Sequence, residues 1–264
     1  MPYRVDLCDA SADALDRLIE FGALDIECSR HRGIAALMPD SITPEQIASA
    51  IAVGGISVSP GVPRDDGSVW VLSPRPIHIG RLRIAPAHME SEPDALRLID
   101  ASVFGTGLHP TTALCLEAID EAVVLLRPDA VLDVGTGSGV LALGALMLGV
   151  PRAVAMDIDD EALRVARENA RLNGLQMRLE LARGGPDTVT GTWPLVVANI
   201  LAAPLIEMAP ALVRRIAHHG RLVLSGVPAS VEHDVNQAYC HLGMRRVDVK
   251  ERAGWVALVL QASW

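Results

Sequence analysis

The sequence predicts an α/β protein in which a doubly wound sheet, closed by an antiparallel hairpin, follows a small α+β unit. Three observations carry that expectation. Strand and helix patterns alternate in long units from residue 77 to the C-terminus, while the first 58 residues follow a shorter rhythm. Between the two, Pro60, Gly61, Pro63, Gly67, Pro74 and Pro76 punctuate the chain as a linker. The expected boundaries are 1–59 for the first domain, 60–76 for the linker and 77–264 for the second domain.

In the first segment residues 3–7 alternate as a strand, and Ser11 is placed to cap a helix with Leu15, Leu18 and Ile19 on one face. Residues 24–30 and 33–38 read as two strands joined at His31 and Arg32. Thr43-Pro44-Glu45-Gln46 is a helix start, with a capping threonine, proline in the first turn and glutamine three residues after the cap. That helix ends near Gly54 and Gly55, and residues 56–59 form a last strand. The order β-α-β-β-α-β is that of a ferredoxin-like domain.

A short strand over 69–72 lies inside the linker, and residues 77–84 lead extended into Pro86. A helix over 111–126 is followed by a buried strand over 131–134, a helix over 140–148 and a strand over 153–156. Residues 161–172 form a helix closed by Asn173-Gly174, and a strand over 177–181 comes next. Strand 195–198, helix 205–216, strand 222–225 and helix 231–241 continue the alternation, and 245–249 with 255–260 close the chain as a hairpin around Ala253-Gly254. Residues 134–151 run for 18 positions without a charge, near membrane-span length. Five glycines break that run, so it reads as a strand end, a turn and a buried helix instead.

Composition narrows the function. The 264 residues carry 23 basic and 32 acidic side chains, a net charge of −9, and only eight aromatics of the Trp, Tyr and Phe types. Such a chain repels phosphates and lacks stacking platforms, so no direct nucleic-acid binding is expected. Residues 1–75 hold 6 basic and 11 acidic side chains, so more than half of the net charge sits on the smaller segment and favours a basic protein partner. Cys8, Cys28, Cys115 and Cys240 are scattered without metal-ligand spacing, which reads as reduced thiols and no metal site. No basic-then-apolar leader opens the sequence, so a cytoplasmic protein without membrane attachment is expected.

The chemistry belongs where the first central strand meets its helix, at Val131-Leu-Asp-Val-Gly-Thr-Gly-Ser-Gly139. Gly135, Gly137 and Gly139 let the backbone pass beneath a ligand, with Thr136 between them. Asp157, ending the next strand, can accept both ribose hydroxyls of an adenosine. The spacing is G-x-G-x-G, not the G-x-G-x-x-G of dinucleotide sites, and the sole lysine, Lys250, is far from any Walker position. Asp133 is awkward beside phosphates but suits a sulfonium and an α-amino group, so the loop points to S-adenosylmethionine. In Phe104-Gly-Thr-Gly-Leu-His-Pro-Thr-Thr112 two glycines flank Thr106, so the backbone can fold over that ligand while the hydroxyl reaches it. Phe104, Thr106, Gly107 and Thr112 are assigned to cofactor binding on this basis. His109 stands as either a structural hydrogen-bonder or a base. Asn199 ends the fourth strand, before Ile200 and Leu201, where its side-chain oxygen and a nearby backbone carbonyl can hold an amine by its hydrogens. A plain turn asparagine is the competing reading.

On FGTGLHPTT, LDVGTGSG, AMDIDDEAL, ARENARLNG, VVANILAAPL and LSGV, the chain resembles the ribosomal protein L11 methyltransferases (PrmA), over most of residues 76–264. The extended Pro76-Ile-His-Ile-Gly-Arg-Leu82 fits as well. The resemblance implies a class I, Rossmann-like methyltransferase domain behind a ferredoxin-like recognition domain. It implies N-methylation of lysine side chains, and of the α-amine, of a large-subunit ribosomal protein. Asn199, Ile200 and Leu201 would then be the catalytic segment, with Ile158 and Asn199 joining the cofactor contacts. The first segment carries no motif of the family and is short for it, which leaves other substrates open. These are the electron-transfer flavoprotein β-subunit, a small molecule, or no reaction at all in a degenerate adenosine-binding module.

Overall fold

Two units divide the chain, Met1–Pro74 and Arg75–Trp264, in a computed structural model that describes residues 1–8, 12–28, 33–51, 55–65, 69–73, 75–89, 94–101 and 103–264. The first holds β1 (Tyr3–Cys8), α1 (Ala12–Glu20), β2 (Asp25–Cys28), β3 (Ile34–Met38), α2 (Pro44–Ala50) and β4 (Gly55–Pro60). Its sheet runs β2-β3-β1-β4 with every neighbour antiparallel, a split β-α-β arrangement. Val5, Leu7, Ile34, Ala36 and Met38 from the sheet bury against Ala14 and Leu18 of α1 and Ile47 of α2. The Thr43 hydroxyl accepts the Gln46 N–H at 3.3 Å, and the Gln46 amide oxygen accepts the Thr43 N–H at 2.7 Å, closing a capping box. Ile19, expected on the inner face of α1, is exposed, and Ala14 takes the inner position four residues before Leu18. Ser11, the His31–Arg32 joint and Gly54 lie outside the described residues.

The stretch expected as linker has structure of its own. β5 (Pro63–Arg64) pairs with β6 (Val69–Trp70), the Leu72 N–H donates to Asp25 at 2.9 Å, and the Ser73 hydroxyl bonds Glu27. These contacts tie it to the first unit.

The second unit begins with a small sheet of β7 (Ile77–Ile79), β8 (Leu82–Pro86) and β9 (Leu96–Leu98). The extended run expected over 77–84 is a hairpin, turned at Gly80 with φ +56°. Then follow α3 (Pro110–Leu126), β10 (Ala130–Val134), α4 (Val140–Met147), β11 (Arg152–Asp157), α5 (Asp160–Leu172), β12 (Leu179–Arg183) and β13 (Trp193–Asn199). The chain closes through α6 (Ala202–Glu207), α7 (Ala209–Val213), β14 (Ile216–Pro228), α8 (Glu232–Cys240), β15 (Met244–Arg252) and β16 (Trp255–Ala262).

The large sheet runs β12-β11-β10-β13-β14-β16-β15, with the first five strands parallel and β16 antiparallel to both its neighbours. This is the Rossmann-like α/β architecture closed by a hairpin. β10 is buried at every position, as a central strand covered on both faces must be. On one face Val131, Leu195 and Val223 pack under α3, α4 and α5; on the other Leu132, Val196 and Leu222 pack under α6, α7 and α8. Strand order reverses between β10 and β13, so their carboxyl ends open a crevice. The apolar run expected as a strand and a buried helix is β10, a glycine turn and α4, and no helix among the described residues is long and apolar enough to cross a membrane. The single helix expected over 205–216 is two, α6 and α7, broken at Met208 with Pro210 in the first turn of α7.

Candidate functional site

The glycine loop leaves β10 at Gly135 with φ +74°, and Gly137 and Gly139 also adopt positive φ, +54° and +85°. Gly135 and Thr136 both donate their N–H groups to the Met156 carbonyl at 2.9 Å, pinning the loop to the end of β11. The Gly137 N–H donates to Asp157 Oδ2 at 2.9 Å, and the Asp159 N–H to Asp157 Oδ1 at 3.1 Å. Asp157 thus braces the loop as well as standing at the ribose position, and each oxygen keeps a second lone pair. Ile158 beside it is 76% exposed, an apolar side chain free to cover a flat ligand.

Asp133 is fully buried beneath this loop. Its Oδ2 accepts the Thr136 hydroxyl at 2.7 Å and the Ala142 N–H at 3.1 Å, while Oδ1 has no partner. Burial pushes its pKa up to about 7, the Thr136 and Ala142 hydrogen bonds pull it back, and the charge of Asp157 adds to the rise. A buried carboxylate oxygen without a donor fits a ligand that brings a positive group, as S-adenosylmethionine would.

The segment 104–112 crosses over the same loop. The Phe104 carbonyl accepts the Ser138 N–H at 2.9 Å, and the Ser138 hydroxyl donates to the Gly105 carbonyl at 2.6 Å. A Cβ on Gly137 would stand 2.5 Å from the Phe104 oxygen, so glycine is required where the two segments meet. The Thr106 hydroxyl accepts the Leu108 N–H at 3.3 Å. Gly107 is placed elsewhere: a Cβ there would touch Ile77 and Ile84 at 3.0 and 3.1 Å, so it packs on the small sheet. Gly139 likewise serves helix packing, against Ala166 of α5.

His109 is buried and caps α3, its Nδ1 accepting the Thr111 N–H at 3.3 Å and lying 2.7 Å from the Thr111 hydroxyl. Its ring meets Phe104 and Trp255 edge-on, both with centroids 5.3 Å away. Trp255 was missed in the sequence, where it reads only as the start of the closing strand. Nothing local marks it, because its partners lie about 150 residues earlier.

Asn199 ends β13, is 9% exposed, and its amide donates to the Thr112 hydroxyl at 3.4 Å. Its Oδ1 is buried without a donor. Thr112 is fully buried at the start of α3, so its hydroxyl meets Asn199 and fixes which way the amide points. Ile200 follows, with its N–H on the Ser225 carbonyl at 3.1 Å, and Leu201 stands at the rim, 68% exposed. Asn169 was also not anticipated. Fully buried on α5, it donates to the Ser138 carbonyl at 2.8 Å and accepts the Ile99 N–H at 2.9 Å, stitching the loop to the segment after β9.

Adjacent strands therefore bring two unsatisfied acceptors, Asp133 Oδ1 and Asn199 Oδ1, to one end of the sheet. One suits a cation beneath a glycine loop; the other suits an amine at its edge.

Residues 65–263 match the family model described as ribosomal protein L11 methyltransferase (PrmA). A relative of that name from Pelobacter propionicus is 41% identical over 204 residues, covering 74% of this chain and 66% of that relative, just under two thirds of its length. One from Myxococcus xanthus is 34% identical over 283 aligned positions, covering 97% of this chain and 96% of its own. Among solved structures, a ribosomal protein L11 methylase from Lactobacillus delbrueckii subsp. bulgaricus superposes with a TM-score of 0.66 at 31% identity, over 72% of this chain and all of that one.

Proposed function

Because the chain belongs to the ribosomal protein L11 methyltransferase family (PrmA), we propose that it methylates lysine ε-amino groups, and the α-amino group, of a large-subunit ribosomal protein, L11 itself. S-adenosylmethionine is the methyl donor of this reading, held by the glycine loop, Asp133 and Asp157. The observation that carries the reading is the buried Oδ1 of Asn199, without a donor, at the strand end beside that loop.

When bound, S-adenosylmethionine supplies a methyl group on a sulfonium: the amine lone pair forms the N–C bond, the C–S electron pair stays on sulfur, and a proton leaves the amine. The chain's own residues have three tasks. The first is to receive the amine neutral. A free lysine has a pKa of about 10.4, so holding it neutral near pH 7.4 costs about 4 kcal/mol. The apolar side chains of Ile200 and Leu201 disfavour a charged amine and offset part of that cost. No general base is then needed, and His109, spent on capping α3, does not have to act as one.

The second task is orientation. Asn199 Oδ1 accepts an amine hydrogen, while Thr112 keeps the amide from turning its nitrogen inward. Trp255 and Phe104, on either side of His109, offer aromatic walls for the alkyl stem. The third task is exclusion of water, which the segment 104–112 performs by lying across the loop. Alignment of this kind can supply a large share of the rate.

The test is transfer of labelled methyl from S-adenosylmethionine to purified L11, run beside a metabolite extract and electron-transfer flavoprotein β-subunit. Label in L11 lysines supports the assignment. Label confined to a metabolite or to the flavoprotein overturns the substrate, and no transfer to any of them overturns the reaction.

A further inference from the structure

Ile200 is held from two sides by residues that have no side chain. Its N–H donates to the Ser225 carbonyl at 3.1 Å, and the next residue, Gly226, takes φ +81° where the β14–β16 register shifts between Leu224 and Val227. A Cβ on Gly226 would lie 2.3 Å from the Ile200 carbonyl oxygen, 2.7 Å from the carbonyl carbon and 3.1 Å from the nitrogen. These are backbone atoms, which cannot swing aside as a side-chain tip can. On the other side a Cβ on Gly135 would lie 2.4 Å from Ile200 Cγ2. A bulge in one strand and the turn of another are therefore both shaped to one residue.

The Ile200 carbonyl is also free. No donor reaches it among the described residues. The hydrogen-bond ladder of α6 starts one residue later, with the Leu205 N–H donating to the Leu201 carbonyl at 3.2 Å, and Pro204 has no N–H to offer. A neutral primary amine has two hydrogens and one lone pair. A single acceptor leaves it free to rotate about one hydrogen bond, whereas two fixed acceptors aim the lone pair.

Resting on the reading that Asn199 takes the substrate amine, we propose that the Ser225–Gly226 bulge sets the Ile200 carbonyl as the second acceptor of that amine, which makes Gly226 a positioning residue of the reaction. Asn199 Oδ1 and the Ile200 oxygen are successive acceptors on one strap. Gly226 holds that strap at its correct height and keeps the space beside the carbonyl open.

A glycine needed only for its backbone conformation behaves differently, and the molecule provides the control. Gly174 also has positive φ, +69°, but a Cβ there meets nothing within 4 Å. The experiment uses the full chain with Gly226→Ala, Gly174→Ala and Asn199→Ala, and a fourth form in which an α-hydroxy acid replaces Leu201. That replacement turns the Ile200 carbonyl into an ester, a weaker acceptor of nearly the same shape. Measured for each are kcat and KM on L11, the affinity for S-adenosylmethionine by calorimetry, and the thermal midpoint.

Gly226→Ala is expected to lower kcat by about 10²-fold, with cofactor affinity kept. The ester form should lower kcat by roughly tenfold with an unchanged thermal midpoint, and Gly174→Ala should keep its kcat. Should Gly226→Ala not fold, the ester form decides. If Asn199→Ala is inactive while the ester form and any folded Gly226→Ala keep full kcat, the second-acceptor role is wrong. If Asn199→Ala itself keeps full kcat, the underlying reading of the strap fails instead.

Discussion

Asp133 holds a charge state that the empty loop resists and a cationic ligand rewards. Its pKa of about 7 lies above the usual carboxylate value because burial dominates. The folded chain therefore keeps this proton where the unfolded chain has lost it, and this carboxyl's contribution to stability falls as pH rises from about 4 to about 7. Asp133→Asn should remove that slope. The asparagine oxygen can stand at Oδ2 and still accept from both Thr136 and Ala142, so the fold is kept. Urea midpoints measured from pH 4 to 7 should show the wild type losing stability relative to the variant, and parallel curves would refute the assignment. A positive group beside Oδ1 lowers the pKa again, so S-adenosylmethionine should release a proton when it binds near pH 6.5. Calorimetry in buffers of different ionisation enthalpy detects that release. Asp157 is tested in graded form. Asp157→Asn keeps an acceptor for the Gly137 N–H, while Asp157→Ala loses it together with both ribose acceptors. Cofactor affinity should fall in the order wild type, Asn, Ala, with at least about tenfold lost in the last; equal affinities would remove Asp157 from the site.

Single elements carry their information unevenly. Asn169 sits inside α5, yet its amide joins the glycine loop to the segment after β9. Asn169→Ala leaves the Ser138 carbonyl and the Ile99 N–H unpaired, at a cost of about 1–3 kcal/mol. A thermal melt should register that cost, and an unchanged midpoint would show that water replaces the amide. The sequence makes this helix legible through its apolar period, but not what its buried asparagine holds. The same division runs through the site. Gly135, Gly137, Asp133 and Asp157 are readable because a short turn and the end of the next strand impose them locally. Trp255, and the contacts of Thr112 with Asn199 and of Gly226 with Ile200, depend on strands that meet only once the sheet is assembled. Asn199 and Thr112 are 87 residues apart. Gly107 shows the reverse error, since a motif position suited to ligand binding is consumed by packing against Ile77 and Ile84. The break between α6 and α7 escapes the periodicity because apolar residues continue across it while Pro204 and Pro210 remove ladder donors.

At the scale of the whole molecule, two units divide recognition from chemistry. The residues that hold the donor and the amine all belong to Arg75–Trp264, while residues 1–75 carry 11 acidic against 6 basic side chains. A chain reduced to 75–264 should keep its affinity for S-adenosylmethionine and lose methylation of intact L11. Full activity on L11 would take recognition away from the first unit. The only lysine is itself secured. Partial burial pulls the pKa of Lys250 down, but Glu121 at 2.7 Å and Asp248 at 3.3 Å outweigh that and hold it raised, so it stays charged and makes a poor acceptor. The chain thus offers its own site almost nothing to methylate. The central claim is that Asn199 presents an amine of L11 to a bound S-adenosylmethionine. Intact-mass analysis of L11, after incubation with the cofactor and either the wild type or Asn199→Ala, tests it most directly. The account predicts methyl-mass increments on L11 with the wild type, and none with a variant that still binds cofactor. L11 left unmodified by the wild type, or methylated equally by both, would contradict it.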